Sequence, residues 1–395
     1  LEKGMPYTEV SRSSNIDNVI TQFLSGVSIM TIDGFDECLL IDCRTYPMRS
    51  VSEPWKDRVL RGSRDGFVET LVSNAALLRR RIRDPRFSME LYGIGRRSRS
   101  DVAICYISDS VDQSILDRMR SLIQSIDVDA LTMNIESLAE CMFTHKWINP
   151  FPKFKYSERP DTATAAILDG NIVIMVDNSP AVMIIPASIF DIIEEADDFN
   201  FSPMIGSYLR ITRFFFSIVT WILTPLWLLL VNNPEWVPEF MKFILITDDI
   251  TVPVLLQLLI LELAVDGLKL AAVNTPTMLS TPLSIVAGIV VGEYAVSSGW
   301  FNPESLLYMA VVTVGTYGQT NFEMGYAFKF LRVLTLILTQ IFNLGGFIAG
   351  VVISVLMIAF NRTITGKSYI YPLIPWDGKM LKRKVFRVRL PHSYK

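Results

Sequence analysis

Five long apolar stretches occupy most of the second half of the chain. They cover about residues 204–231, 250–265, 279–298, 305–319 and 333–360. Because a helix needs about 20 residues to cross ~30 Å of hydrocarbon, the first, third and fifth are long enough to span a membrane, and the second and fourth are marginal. The pattern predicts a helical membrane domain with at least three secure spans.

Shorter apolar runs in the first half alternate with amphipathic ones. Two β-favouring runs between residues 27 and 50 flank Asp33-Gly34, a dipeptide that commonly joins hairpin strands. A β-hairpin is therefore predicted. A helix is predicted to start near Ser63, with a buried face at helical spacing that consists of Phe67, Leu71, Leu78 and Ile82.

Further strands and helices follow in alternation. Strands are predicted at 102–107, 172–176 and 181–185, and helices at 112–126 and about 134–144. The fold class is thus α/β soluble N-terminal domains followed by an all-α multi-span membrane domain. The predicted divisions are a β-containing soluble subdomain and linker at 1–60, an α/β cytoplasmic domain at 61–200, a transmembrane helical domain at 201–362 and a basic cytoplasmic tail at 363–395.

Basic residues at the edges of the apolar region predict its orientation. The last stretch is closely followed by Lys379, Lys382, Arg383, Lys384, Arg387 and Arg389, and Arg210 and Arg213 lie at the start of the first. By the positive-inside rule both ends are predicted to be cytoplasmic, so the number of full crossings is even. The stretch at 250–265 is short and contains Pro253 and Glu262, and we expect it to be re-entrant or interfacial.

Composition supports a membrane protein and gives no sign of an enzyme. The chain is 50% hydrophobic and 19% charged, with a mean hydropathy of +0.34. A net charge of -3 argues against nucleic acid. The four cysteines form no CxxC motif, there are two histidines, and no GxSxG, HExxH or phosphate-binding loop is present. We expect no catalytic residue, metal or cofactor.

One apolar stretch contains a carboxylate next to small residues. Glu293 follows a GxxxG step formed by Gly288 and Gly292, and such a helix can approach its neighbours closely. The functional hypothesis is that residues 284–296, repeated around an oligomer axis, line a narrow pathway with Glu293 near one mouth. The pore-lining candidates are Ser284, Ala287, Gly288, Val291, Gly292, Glu293 and Ala295. The alternative is ordinary helix packing, with Glu293 snorkelling or paired with a base.

A second polar group lies in the stretch at 250–265 and just beyond it. Glu262, Asp266 and Lys269 are spaced by four and three residues, so they share one face of a helix. An internal charge pair and an ion site explain this spacing equally well.

Three segments resemble the GerA-type spore germination protein A-subunit family, in order over nearly the whole chain. They are residues 61–69 (RGSRDGFVE) with 78–82 (LRRRI), 157–161 (SERPD) and 284–293 (SIVAGIVVGE). The family's ELxREAG pattern falls at 262–267, where this chain has ELAVDG and lacks the basic residue. Nutrient-receptor A subunits usually have GPREAF where residues 61–67 of this chain read RGSRDGF. This difference favours the stage V sporulation branch of the family. The motif residues expected to be structural are Arg64, Asp65, Glu69, Arg159, Pro160 and Asp161.

The resemblance implies a multi-pass protein of the bacterial spore inner membrane that works in germination. It implies a homo-oligomer, a pentamer, that releases monovalent cations and amplifies the response, together with a small partner membrane protein and nutrient germinant receptor subunits. The soluble domain and the C-terminal tail would then face the spore core. The alternative is a non-conducting germinant receptor A subunit or signalling scaffold, anchored in the bilayer by its spans.

Overall fold

The computed structural model describes residues 10–42, 49–54, 56–143, 149–249, 251–274 and 288–388, except the side chains of 289–291. The chain forms two compact units, Leu1–Ser50 and Val51–Lys395. The first contains β1 (Val10–Ser13), α1 (Ile16–Leu24), β2 (Ser28–Met30) and β3 (Cys38–Ile41). Its strands are antiparallel in the order β1-β3-β2. The pairing of β2 with β3 confirms the predicted hairpin.

The second unit contains a five-stranded antiparallel sheet with helices on both faces. The strand order is β4-β5-β7-β8-β6. The strands are β4 (Phe87–Ile94), β5 (Ser100–Ile107), β6 (Lys155–Ser157), β7 (Ile172–Val176) and β8 (Val182–Ile185). The helices are α2 (Leu71–Arg81), α3 (Gln113–Gln124), α4 (Ile135–Met142) and α5 (Pro160–Leu168). The predicted α/β fold is confirmed.

Alternation along the strands produces two separate cores, because successive side chains of a strand point to opposite faces. Val102 and Ile104 of β5 pack with α3 and α4. Ala103 and Cys105 pack on the other face with α2 and α5. Burial of its side chain raises the pKa of the Cys105 thiol. This cysteine is therefore an inert core residue.

The predicted helix from Ser63 begins later than expected, at Leu71. The backbone before it bonds to other parts of the chain: the Phe67 amide donates to the carbonyl of Glu158 at 2.8 Å, and the Val68 amide donates to Asn74 Oδ1 at 2.8 Å. These bonds replace the i to i−4 bonds of a helix, so residues 63–69 are extended. Helical spacing of Phe67 with Leu71 was therefore misleading.

Short helices α6 (Ile189–Ile193) and α7 (Asp197–Asn200) lead into the apolar helices. These are α8 (Pro203–Asn232), α9 (Val254–Asn274), α10 (Pro303–Tyr317) and α11 (Phe322–Ala359), and α12 (Gly378–Val385) follows. Among the described residues, α8 and α11 are long and apolar enough to cross a membrane by length and composition. The helix α9 is continuous over 21 residues, about 31 Å, so it is not a re-entrant loop, and its predicted interfacial position stays a prediction. Pro253 precedes it.

The longest helix is a hairpin of two antiparallel arms. Its backbone leaves the helical region at Asn343, where φ is 51° and ψ is −129°. Beyond this point Gly346 lies against the Leu338 carbonyl and Gly350 against Thr335. Contacts between residues so far apart in sequence are impossible in a straight helix, where 15 residues span about 22 Å. The prediction of one span at 333–360 is therefore corrected.

Both ends of this hairpin lie at the sheet domain. At the start of α11, the Thr320 hydroxyl donates to the carbonyl of Ile192 at 2.8 Å. Near its end, Asn149 Nδ2 donates to the carbonyl of Met357 at 3.2 Å. The turn at Asn343 lies at the other end of α8, where its side chain exchanges hydrogen bonds of 2.6 and 2.8 Å with Asn233.

The segment after α11 packs on the sheet domain and is not a free tail. Ile364 belongs to the core between the sheet, α3 and α4. Tyr369 is fully buried with Phe151 and Phe328. Residues predicted as a basic tail therefore begin inside the folded domain.

The hairpin predicts opposite effects at two neighbouring glycines. A Cβ at Gly346 would overlap the Leu338 carbonyl, whereas a Cβ at Gly345 meets nothing within 4 Å among the described residues. Gly346→Ala should lower the free energy of unfolding by about 1–3 kcal/mol. Gly345→Ala should raise it by up to about 1 kcal/mol, because alanine favours helix over glycine. Denaturant unfolding of the full chain in detergent measures both, and equal effects would contradict the hairpin.

Candidate functional site

The predicted pore-lining segment is described from Gly288 onward. Gly288–Tyr294 is π-helical and continues into Ala295–Ser297. Ser284, Ala287 and the side chain of Val291 lie outside the described residues. The side chain of Glu293 is exposed, Tyr294 is 65% exposed, and no described atom lies within 4 Å of a Cβ built at Gly288 or Gly292. Among the described residues, nothing covers this face of the segment.

A buried ion pair joins three apolar helices. Glu262 of α9 is 5% exposed and Arg332 of α11 is 2% exposed. The guanidinium donates from Nε to Glu262 Oε1 and from Nη1 to the carbonyl of Thr220 in α8. One arginine thus ties α8, α9 and α11 together at a buried position.

Two lysines complete this interhelical charge cluster, which comprises Glu262, Asp266, Lys269, Lys329 and Arg332. Lys329 Nζ contacts Asp266, donates to the Glu262 carbonyl at 3.1 Å and lies 3.7 Å from Glu262 Oε2. Lys269 lies over the rings of Tyr317 and Tyr326, at 5.2 and 5.5 Å from their centroids. The carboxylates of α9 therefore pair with α11 and not within their own helix.

Sequence reasoning missed Lys329 and Arg332, although a signal was present. They are three residues apart at the beginning of a long apolar run, so they share one helix face. The predicted stretch at 333–360 began one residue after Arg332 and so excluded both cations.

The interhelical charge cluster borders a cavity of about 60 Å³ lined also by Thr316. Asp266 Oδ1 is buried there and has no hydrogen-bond partner among the described residues. The space suits one or two water molecules. Three cations against two carboxylates disfavour an additional cation, so of the two sequence hypotheses the geometry favours charge pairing.

Several polar motif residues of the sheet domain contact the segment that precedes α2. Arg159 is buried, and its guanidinium contacts Asp161 and donates to the carbonyls of Ser63 at 2.9 Å and Asp57 at 3.3 Å. Asp65 pairs with Arg80 and Arg81. Pro160 occupies the first turn of α5, the Glu69 carbonyl accepts from the Asn178 amide at 2.7 Å, and Arg64 is exposed. These contacts attach residues 57–69 to the sheet domain.

Comparison with known proteins agrees with this architecture. A family model described as Bacillus/Clostridium GerA spore germination protein matches residues 1–395. The chain belongs to the GerA spore germination family. Stage V sporulation protein AF of Bacillus subtilis (strain 168) is 36% identical over 99% of this chain and 79% of that protein. Spore germination protein GerLA of Bacillus cereus is 27% identical over 100% of this chain and 80% of that protein.

Other relatives carry germination and membrane names. An uncharacterized membrane protein, YfkQ of Bacillus subtilis (strain 168), is 26% identical over 97% of this chain and 74% of that protein. A crystal structure of the N-terminal domain of the A subunit of the Bacillus megaterium spore germinant receptor GerK3 is 26% identical. It covers 45% of this chain and 62% of that domain, with a TM-score of 0.25. This GerA-family chain is accordingly a membrane protein of spore germination.

A buried carboxylate joins the sheet domain of this GerA-family chain to its first apolar helix. Asp198 is 0% exposed and contacts Arg213 as well as Arg210 Nε, which lies at 3.2 Å. Arg210 also donates to Glu194 at 2.9 Å and to the carbonyls of Arg383 and Lys384, both at 3.0 Å. Arg210 and Arg213 are therefore paired within the protein, and the orientation of the chain stays a prediction.

The same junction holds α12 in place. Lys384 contacts Asp191 and lies 3.7 Å from Glu194 Oε2. Burial by itself would lower the pKa of the Lys384 ammonium, but attraction to Asp191 and Glu194 outweighs it and raises the pKa. Lys384 thus remains charged at neutral pH.

The buried pair predicts a large cost for removing one partner. Arg332→Met leaves Glu262 enclosed without its guanidinium, and we expect a loss of about 3–5 kcal/mol in unfolding free energy. The double variant Glu262→Leu/Arg332→Met should recover most of it, since no unpaired charge remains. Denaturant titration in detergent measures both.

The matched control is the exposed pair of Lys242 with Glu239, at 2.6 Å. Lys242→Met should change stability by less than about 1 kcal/mol. If Arg332→Met and Glu262→Leu/Arg332→Met lose equal free energy of unfolding, the burial of Glu262 does not require Arg332.

Proposed function

We propose that this GerA-family protein is an ion channel subunit that releases monovalent cations across the spore inner membrane and so amplifies germination. The channel is a homo-oligomer, a pentamer, in which residues 284–296 of each copy surround the axis. The α/β domain at 61–200 and the segment after 362 face the spore core. A small partner membrane protein and nutrient germinant receptor subunits are the proposed associates.

The exposed carboxylate of Glu293 is the observation that carries this proposal. A charge facing lipid costs several kcal/mol, so such residues normally face water or another protein surface. Glu293 follows two glycines whose open sides allow another helix to approach closely. A ring of copies would place these faces together and surround the carboxylates with water.

Charge pairing elsewhere supports the choice of this segment. Glu262 and Asp266, the other acidic candidates, contact Lys329 and Arg332. These two carboxylates therefore form ion pairs that join α9 to α11. Glu293 forms no ion pair with any described residue, which leaves its carboxylate available to attract cations at a pore mouth.

Contacts between the apolar helices and the sheet domain suggest how the channel would be controlled. The turn between α10 and α11 and the start of α8 contact the sheet domain, so movement of that domain reaches the helices directly. When helices with small side chains close around an apolar constriction, water leaves the constriction and ion conduction stops. We infer that the sheet domains, arranged in a ring, set the width of this constriction.

Potassium efflux from liposomes that hold the purified full chain tests the proposal. Glu293→Gln should lower the efflux rate by about tenfold, because a carboxylate at the mouth concentrates cations. Val291→Ala and a graded size series at Gly288 should change the leak, because both residues are assigned to the constriction.

Glu235→Gln is the control, because Glu235 is an exposed carboxylate in the turn after α8. It should leave efflux unchanged. A flux that is insensitive to Glu293, Val291 and Gly288 would place the pathway elsewhere. Absence of flux with and without the partner would support the second candidate function.

That second candidate is a non-conducting germinant receptor A subunit or signalling scaffold. A cavity of about 510 Å³ between the sheet domain and the α10–α11 turn favours it, because this size suits a small-molecule site. The cavity wall includes Lys155, whose ammonium donates to the Glu194 carbonyl at 3.0 Å. Burial lowers the pKa of Lys155. A receptor would bind its ligand in this cavity, and liposomes that contain it would show no potassium efflux.

A further inference from the structure

Helix α12 exposes two lysines and an aromatic ring on one face. Lys379, Lys382 and Phe386 follow at spacings of three and four, the spacing of one helical face. All three side chains are exposed. Neither lysine forms an ion pair with a described residue. Lysines beside an exposed aromatic ring suit a membrane surface, where the cations reach the headgroups and the ring reaches the acyl boundary.

The opposite face anchors α12 to the beginning of α8. Lys384 contacts Asp191, and Arg210 donates to the last carbonyls of α12. Just beyond the helix, the Arg387 amide donates to Ser207 Oγ at 3.0 Å. These bonds hold the exposed lysines at a fixed position beside the first turns of α8.

The first turns of α8 expose apolar side chains from the very beginning. Met204 is 86% exposed and Tyr208 is 68% exposed, and exposed apolar side chains continue along the helix at Phe215 and Ile218. A continuous strip of this kind is expected where hydrocarbon surrounds a helix. Because α12 lies beside the first of these turns, it lies at the depth of the lipid headgroups.

We propose that α12 is an interfacial helix that binds anionic phospholipid headgroups through Lys379 and Lys382. Phe386 faces the acyl boundary beside them. Trp376, which is exposed next to the start of the helix, occupies the headgroup region where tryptophan is enriched. Bonds to Ser207 and Arg210 hold α12 beside the helix that carries the exposed apolar strip, which is why lipid, and not a soluble protein, is the assigned partner. The inference does not depend on conduction.

Native mass spectrometry of the purified full chain in detergent tests this assignment. Phosphatidylglycerol and phosphatidylcholine are titrated as probes, and the first should bind more tightly. In Lys379→Gln/Lys382→Gln, the preference for phosphatidylglycerol should fall by about fivefold for each lysine removed. Phosphatidylcholine binding should not change.

Arg96→Gln/Arg97→Gln is the matched control, because it removes two exposed arginines from the sheet domain. It should retain the preference for phosphatidylglycerol. Equal losses in both double variants, or none in the lysine variant, would overturn the proposal. So would displacement of phosphatidylglycerol by inorganic phosphate, which indicates a free-anion site, or a lysine variant that loses an oligomer in the same spectra, which indicates a second copy of the chain.

Fluorescence quenching gives an independent measurement of depth. Brominated phosphatidylglycerol in vesicles should quench a component of the tryptophan emission that is missing in Trp376→Phe. Quenching that is identical in the two proteins would place this segment away from the bilayer, and the assignment would fail even if the variants fold normally.

Discussion

Charges enclosed by apolar helices must be paired, and this constraint organises the helical half of the molecule. An unpaired buried charge costs several kcal/mol, and Glu262 of α9 is paired with Arg332 of α11 and also lies 3.7 Å from Lys329 Nζ. Arg332 in turn donates from Nη1 to the Thr220 carbonyl. Helices that would otherwise slide past one another are fixed in register at this point.

Small residues provide the second constraint. The reversal at Asn343 brings Gly346 and Gly350 against the preceding arm, where larger side chains would collide with backbone. The turn is stabilised by the reciprocal amide pair of Asn343 and Asn233, which satisfies polar groups far from the sheet domain. As a result, the chain returns to the sheet domain and completes its core with Ile364.

Glu293 is the exception against this background, and the proposed function follows from it. The other acidic candidates of the apolar helices are paired, and the junction carboxylate Asp198 has two arginines. Glu293 has no ion-pair partner among the described residues, and in the proposed channel its environment comes from outside one chain. Neighbouring copies and water would supply it in a channel, and the basic face of α12 is completed by lipid in the same way.

Features that depend on the local pattern of residues could be predicted from the amino-acid sequence alone. The α/β domain, the hairpin around Gly34 and the position of the apolar helices follow from alternation, periodicity and length, which act over a few residues. The face shared by Glu262 and Asp266 was visible for the same reason. Motifs of the sheet domain and the matching segments were enough to indicate the family.

Contacts between residues that are far apart in the chain could be seen only in the folded structure. Residues 63–69 are extended because their amides bond to Ser52, Asn74 and Glu158, and no local signal encodes such partners. The partners of Glu262 lie some 70 positions later in the chain. The reversal at Asn343 is equally hidden, because hydropathy records how apolar a helix is and contains no information on whether it turns back on itself.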